Sequence, residues 1–223
     1  ANSGFGLNGA LAFARDGYRV HAAMRDQSKG NLLRELVRAE NLEIKTHTLD
    51  VSQPSTFASF VDQVNYESGG IDVLVNNAGI LRPGVLEDTS EETLREVMNT
   101  NYFGPVLLAK TLLPSMRKQA SGHIIMVSSL SGLAGLPGNF SYTSSKFALE
   151  GSSEAMRHEV DRWGIKVSLV EAGMYSTNLL GERIIGDNSD LPSRYNKESP
   201  YRELMQFKWR KIKDRLPDAF DPK

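Results

Sequence analysis

A doubly wound α/β sandwich, one parallel sheet between layers of helices, is the fold class this sequence predicts, and three observations predict it. Short β-branched or apolar runs alternate strictly with helical patterns. The run "IDVLVNN" (71–77) is almost continuously apolar, as expected of a strand covered on both faces of a parallel sheet. No repeat or low-complexity linker breaks the rhythm, so residues 1–223 read as a single domain, and 40% apolar residues are enough for a full core.

The elements follow in order. The opening "ANSGFGLNGALAFARDG" sets Gly4 and Gly6 directly before a helix. "YRVHAAM" (18–24) predicts a strand, "KGNLLRELVRAE" (29–40) a helix, "LEIKTHTL" (42–49) a strand and "TFASFVDQVN" (56–65) a helix. After the apolar strand at 71–77, a long helical region runs from about Ser90 to Lys118, with acidic residues in its first turn that suit the helix dipole. "HIIMVSS" (123–129) is a strand, a glycine-rich loop follows, Asn139 to Arg162 is helical, and "IKVSLVEAG" (165–173) is the last strand. From Met174 the rhythm stops. Residues 174–215, with the amphipathic stretch "YRELMQFKWRKIKDRL", follow the carboxyl end of a strand, which suits a segment covering a substrate.

Composition removes several function classes. A net charge of -1 gives no electrostatic reason to expect nucleic acid or an anionic membrane as partner. Without cysteine there is no disulfide, thiol nucleophile or zinc–thiolate site. His21, His47, His123 and His158 lie far apart in sequence without metal-ligand spacing, so surface or structural roles and no metal are expected. No apolar run approaches the ~20 residues of a membrane helix, and no signal peptide is seen in a chain that begins without methionine. A cytoplasmic location is the expectation.

Two stretches carry chemistry. Glycines at a helix start let backbone N–H groups approach a pyrophosphate, which makes Ser3, Gly4, Phe5 and Gly6 a candidate phosphate loop. A dozen residues on, the strand that should meet the adenosine ribose ends in Met24 and Arg25, not in the acid that holds ribose hydroxyls in NAD sites. A guanidinium there binds a 2′-phosphate, so NADP(H) is favoured over NAD(H). "YTSSKFALEG" (142–151) sets Tyr142 and Lys146 four apart, on one helix face. A Tyr–Lys pair alone is a weak motif, and an ordinary helical turn explains it equally well.

The motifs "SGFG" (3–6), "LDV" (49–51), "NNAG" (76–79), "VSS" (127–129), "YTSSK" (142–146) and "AGMYST" (172–177) stand in the order and spacing of the short-chain dehydrogenase/reductase family. The sequence resembles that family over nearly its whole length. "AAMRD" (22–26) and "SKFALEG" (145–151) are most similar to the branch of 17β-hydroxysteroid and retinol dehydrogenases. The resemblance implies a Rossmann-type fold and a reversible hydride transfer between NADP(H) and a secondary alcohol or ketone. In that chemistry Tyr142 exchanges the proton and Ser129 holds the substrate oxygen. A free tyrosine titrates near ~10, and the charge of Lys146 is expected to favour the phenolate, while the lysine also holds the nicotinamide ribose. Asn101 is implied to hold, on its backbone carbonyl, a water that links the lysine to solvent. Pro105, four residues on, lacks the N–H that would otherwise occupy that carbonyl.

By the same resemblance Asp50 and Val51 border the adenine, Asn77, Ala78 and Gly79 stabilise the sheet and pass the cofactor, and Gly173 and Thr177 approach the carboxamide. Ala172 stands where the family usually has proline. Leu136, Phe140, Tyr175 and Leu180, with Leu133, Leu179, Ile184 and Ile185, suggest a bulky apolar substrate, although core packing explains most of them equally well. The family's glycine loop begins on a first strand, and the family continues past "LPDAFDPK" (216–223) to a helix and strand, so both are expected beyond the given ends. A homodimer or homotetramer through the helical regions 90–118 and 139–162 is the family's common assembly, with Leu107, Leu108, Leu112 and Leu113 either facing a partner or packed inward. An acyl-thioester ketoreductase is the alternative enzyme. A non-catalytic NADP sensor on the same fold is the alternative class, although a sensor needs no proton donor.

Overall fold

The computed structural model describes residues 1–175, 179 and 199–215. Five strands, β1 (Val20–Met24), β2 (Ile44–Thr48), β3 (Val73–Asn76), β4 (Gly122–Val127) and β5 (Ile165–Val170), alternate with helices α1 (Gly4–Arg15), α2 (Asn31–Ala39), α3 (Phe57–Ser68), α4 (Glu91–Met98), α5 (Gly104–Gln119) and α6 (Phe140–Val160), and α7 (Arg202–Arg215) follows. Every ladder is parallel, as the alternation predicts.

Among the described residues the strands pair in two pieces, β2–β1 and β3–β4–β5, and Val75 of β3 is 42% exposed. The start of the chain touches both pieces. The Ala1 ammonium donates to the Ala23 carbonyl at 2.7 Å, and Gly6 packs on Asn77. Beneath them the core is continuous: Leu49, Phe57, Val61, Leu108 and Leu112 pack with Ala23 of β1 and Leu74 of β3. A second cluster joins α5 and α6 to β4 and β5 through Met116, Ile124, Met126, Leu149 and Ile165, and a third packs α1 and α2 on β1 through Leu7, Leu11, Met24 and Leu33.

The long helical region at 90–118 is interrupted. Ser90 caps α4 by accepting from the Thr93 N–H at 3.2 Å, and Glu91 and Glu92 occupy its first turn. A π turn at Asn99–Phe103 then leads into α5, with Pro105 in its first turn. Such bulges absorb an irregular bonding pattern and frequently mark functional sites. Gly104 is required here, because a Cβ would lie 2.5 Å from the Val51 carbonyl oxygen. Leu108 and Leu112 are buried and Leu107 and Leu113 half-buried, so the leucines of α5 pack mostly inward. The separation of the histidines does not survive folding either: His21 Nδ1 and His47 Nε2 are 2.8 Å apart, because parallel pairing sets β1 beside β2.

Candidate active site

The carboxyl ends of all five strands converge on one edge of the molecule, where open α/β folds bind their ligands. They deliver Met24–Arg25, Leu49–Val51, Asn76–Gly79, Val127–Ser129 and Val170–Gly173.

Helix α6 carries the candidate pair. Its 3.6-residue repeat sets Tyr142 and Lys146 on one face, and both are buried, at 6% and 4% exposure. Ser129 ends the extended run after β4 and accepts from the Ser131 N–H at 3.2 Å, which fixes the loop that carries it. Burial pushes the Tyr142 hydroxyl above its ordinary range, and its hydrogen bond with Ser129 opposes that shift. Lys146 Nζ donates to the Val127 carbonyl at 2.8 Å and lies 5.7 Å from the centre of the Tyr142 ring. Burial lowers the Lys146 ammonium to about 8, and the charge of Glu150, one turn further along α6, opposes the change. Burial thus acts on both members of the pair, raising the Tyr142 phenol and lowering the Lys146 ammonium.

Asn101 is fully buried in the π turn. Its carboxamide oxygen accepts from the Ile80 N–H at 2.8 Å, and its Nδ2 donates to the Ile80 carbonyl at 2.9 Å and to Ser145 Oγ at 3.0 Å. Ser145 in turn donates to the Tyr142 carbonyl at 2.7 Å. The Asn101 side chain therefore clamps the segment after β3 to the turn of α6 that holds Tyr142 and Lys146, a role beyond the one foreseen for its carbonyl. Gly79 lies against both, its Cβ position 3.5 Å from Asn101 Oδ1 and 3.9 Å from Lys146 Nζ.

The glycines do not precede the first helix but form its opening turn. Gly4 sits at φ +53, and Ser3 holds the extended N-cap position without a capping side-chain bond, so the first-turn amides point outward. A Cβ on Gly6 would lie 2.8 Å from Asn77 Nδ2, so only glycine keeps this surface open. An outward-facing helix start beside strand ends fits a dinucleotide's phosphates. Arg25 is exposed at the end of β1, whereas Met24 is buried on Gly30 and Leu33. Asp26 is turned into its own loop, accepting from Ser28 N at 2.9 Å and Ser28 Oγ at 2.7 Å. Asp50 makes the same kind of turn with Ser52, and the Leu49 N–H donates to the Met24 carbonyl at 3.0 Å. The Ala172 carbonyl accepts from the Leu130 N–H at 3.1 Å, which ties the Gly173 segment to the Ser129 loop.

Of the apolar candidates, Leu136 and Phe140 are exposed. Tyr175 meets Phe5 edge-on, ring centres 4.8 Å apart, which places it against the glycine turn. Thr177 and Leu180, like Ile184 and Ile185, lie outside the described residues. Helix α7 crosses nearby loops: Met205 is buried beside Val85, and Lys208 Nζ donates to Asn139 Oδ1 at 2.5 Å. Three contributors were not foreseen from sequence: Ser145, Glu150 and Asn76, whose Nδ2 reaches the Pro105 carbonyl at 3.3 Å. Each lies within a stretch quoted above, Asn76 in "NNAG" and Ser145 and Glu150 in "SKFALEG", but no role was assigned to it there.

A Rossmann-type parallel sheet with a glycine-formed helix start and a Ser–Tyr–Lys set at its strand ends defines a nucleotide-binding class of α/β protein. The chain belongs to the short chain dehydrogenase family, whose model matches residues 1–186. It is 43% identical over 181 residues to the uncharacterized oxidoreductase YusZ of Bacillus subtilis, covering 80% of this chain and 64% of that one. It is 39% identical over 185 residues to retinol dehydrogenase 8 of Bos taurus, covering 81% and 59%, in keeping with the branch that "SKFALEG" resembles. The chain thus spans less than two thirds of the length of these curated relatives. A metagenomic short-chain oxidoreductase solved in complex with NADP superposes with a TM-score of 0.73 at 31% identity, covering 76% of this chain and 77% of that one. Among the described residues no helix is long and apolar enough to cross a membrane.

Proposed function

We propose that this protein is an NADP(H)-dependent oxidoreductase that interconverts a secondary alcohol and a ketone, with a bulky apolar, steroid- or retinoid-like molecule as substrate. The observation that carries this reading is the buried Tyr142 hydroxyl, hydrogen-bonded with Ser129 and one helical turn from Lys146.

Bound NADP(H) supplies or accepts the hydride. The outward amides of Ser3, Gly4, Phe5 and Gly6 hold its pyrophosphate, Arg25 its 2′-phosphate, Asp50 and Val51 border its adenine, and Asn77, Ala78 and Gly79 line its path. Gly173 and Thr177 approach its carboxamide, and Lys146 reaches its nicotinamide ribose. Ser129 donates to the substrate oxygen. In reduction the Tyr142 O–H gives its proton to the developing alkoxide, and in oxidation the phenolate takes it back. A phenol kept protonated by burial is the form that reduction requires. Lys146 supplies positive charge to the phenolate once formed, and a water on the Asn101 carbonyl returns the proton from solvent.

Leu136, Phe140 and Tyr175 form the apolar rim, and α7 covers it, a role that suits its contacts with the loops at Val85 and Asn139. The relatives' names agree with an oxidoreductase, and the NADP-bound relative agrees with Arg25. The protein acts as a homo-oligomer in the cytoplasm. An NADPH-oxidation screen against steroid, retinoid, short-ketone and acyl-thioester substrates tests the reading. Turnover is expected with the bulky apolar ketones; turnover with thioesters alone moves the assignment to a ketoreductase, and none with any class removes it.

A further inference from the structure

Strands β1 and β2 and helix α3 bring together three groups that the proposed reaction does not use. His21 and Ala23 share one face of β1, and His47 pairs with Ala23 in the parallel register, so the two imidazoles meet beneath α3. His47 is buried and packs edge-on against Phe60 of that helix. Glu67, in the last turn of α3, completes the group. One ligand atom from each of His21, His47 and Glu67 lies within 4.8 Å of the other two.

We propose that His21, His47 and Glu67 form a structural site for a divalent transition-metal ion, with zinc as the reference ion. Two imidazole nitrogens and one carboxylate oxygen, completed by water, are the donor set that zinc, cobalt and nickel select over calcium or magnesium. The facing nitrogens are 2.8 Å apart. Metal–nitrogen bonds of about 2.0–2.1 Å at a tetrahedral angle would set them about 3.4 Å apart, so an opening of roughly half an ångström admits the ion.

Its surroundings suit a cation. His21 Nε2 is hydrogen-bonded to Ser68 Oγ at 2.5 Å, and with Nε2 as the donor this outer-shell bond would leave the Nδ1 lone pair for the metal. The site lies at the carboxyl end of α3, where the helix dipole favours positive charge. Two cations oppose the ion: Lys45 Nζ is 3.0 Å from Glu67 Oε2, and Arg19 donates to the Ser68 carbonyl at 2.9 Å. The Lys45 side chain is half-exposed and can leave the carboxylate, so ammonium and metal ion compete for Glu67. Occupied, the site would pin the β1–β2 pair to the helix above it.

The test uses the full chain stripped with chelator, then titrated with Zn²⁺ by calorimetry and with Co²⁺ by visible absorption, alongside His21→Gln, Glu67→Gln and Lys45→Met. His47 is left alone because it is buried, and each variant's circular dichroism is matched to wild type without metal. The proposal expects one saturable equivalent, tetrahedral Co²⁺ bands and a higher melting temperature with Zn²⁺. It expects affinity reduced by about tenfold or more in His21→Gln and Glu67→Gln, and tighter binding in Lys45→Met. No saturable binding, or binding that folded His21→Gln and Glu67→Gln retain in full, would overturn it.

Discussion

The carboxamide of Asn101 pairs with both backbone groups of Ile80, accepting at 2.8 Å and donating at 2.9 Å, and so joins the segment after β3 to the helix that carries the reacting tyrosine. Replacing it with leucine leaves the Ile80 groups and Ser145 without this partner. Asn101→Leu should lose about 2–4 kcal/mol of folding stability, measured by denaturant unfolding, and cofactor affinity should fall with it. Asn101→Asp should also weaken both, because a carboxylate cannot donate to the Ile80 carbonyl. Stability equal to wild type in Asn101→Leu would show that the clamp carries little.

Lys146 titrates near 8 in the folded protein, below its ordinary 10.5, because it is buried. Below pH 8 both folded and unfolded states hold the proton, and the full desolvation penalty weighs on the fold. Between 8 and 10.5 the unfolded state binds the proton and the folded state does not, so this group's contribution to stability rises with pH. Activity runs the opposite way: kcat/KM for reduction should fall as pH rises through 8 and the ammonium is lost. Glu150 holds that value up, so Glu150→Gln should move the alkaline limb to lower pH. A pH profile of kcat/KM for both proteins checks the sign, and a limb that moved upward would contradict it.

Arg25 is exposed while Met24 is packed in the core, so only Arg25 can be exchanged without burying a charge. Arg25→Glu should reduce NADP(H) affinity by about tenfold or more and bring NAD(H) to parity or better, since a charge-assisted bond is replaced by repulsion. Fluorescence titration with the two cofactors decides, and unchanged discrimination would remove the assigned role of Arg25.

Phe103 of the π turn and Phe147 of α6 are exposed at 45% and 46%, although the leucines of α5 pack mostly inward. Those two rings are therefore the apolar groups that the helical layer offers to a second copy. Light scattering at micromolar concentration should give a dimer or tetramer, and Phe147→Glu should shift it towards monomer. A monomeric wild-type protein would sink the assembly.

Much of this was legible in the chain. The alternation of "YRVHAAM", "LEIKTHTL", "IDVLVNN", "HIIMVSS" and "IKVSLVEAG" with helical stretches locates all five strands of the described residues within a few residues, because pattern and element length agree. The chemistry at Ser129, Tyr142 and Lys146 is legible as motif spacing. What the sequence hides is contact between distant positions. Asn101 reads as a neighbour of Pro105, but its partners at Ile80 and Ser145 are set by how α5 and α6 pack. His21 and His47, 26 residues apart, meet only through strand register.

Tyr142→Phe tests the central claim most directly, because it removes one hydroxyl and leaves the ring that α6 buries. Single-turnover hydride transfer and NADPH affinity should be measured on the same folded sample. Cofactor affinity should stay close to wild type while the transfer rate falls by about 10² to 10⁴, the usual worth of a positioned proton donor. Near-normal transfer in a well-folded Tyr142→Phe protein would contradict the assignment of Tyr142 as the group that exchanges the proton.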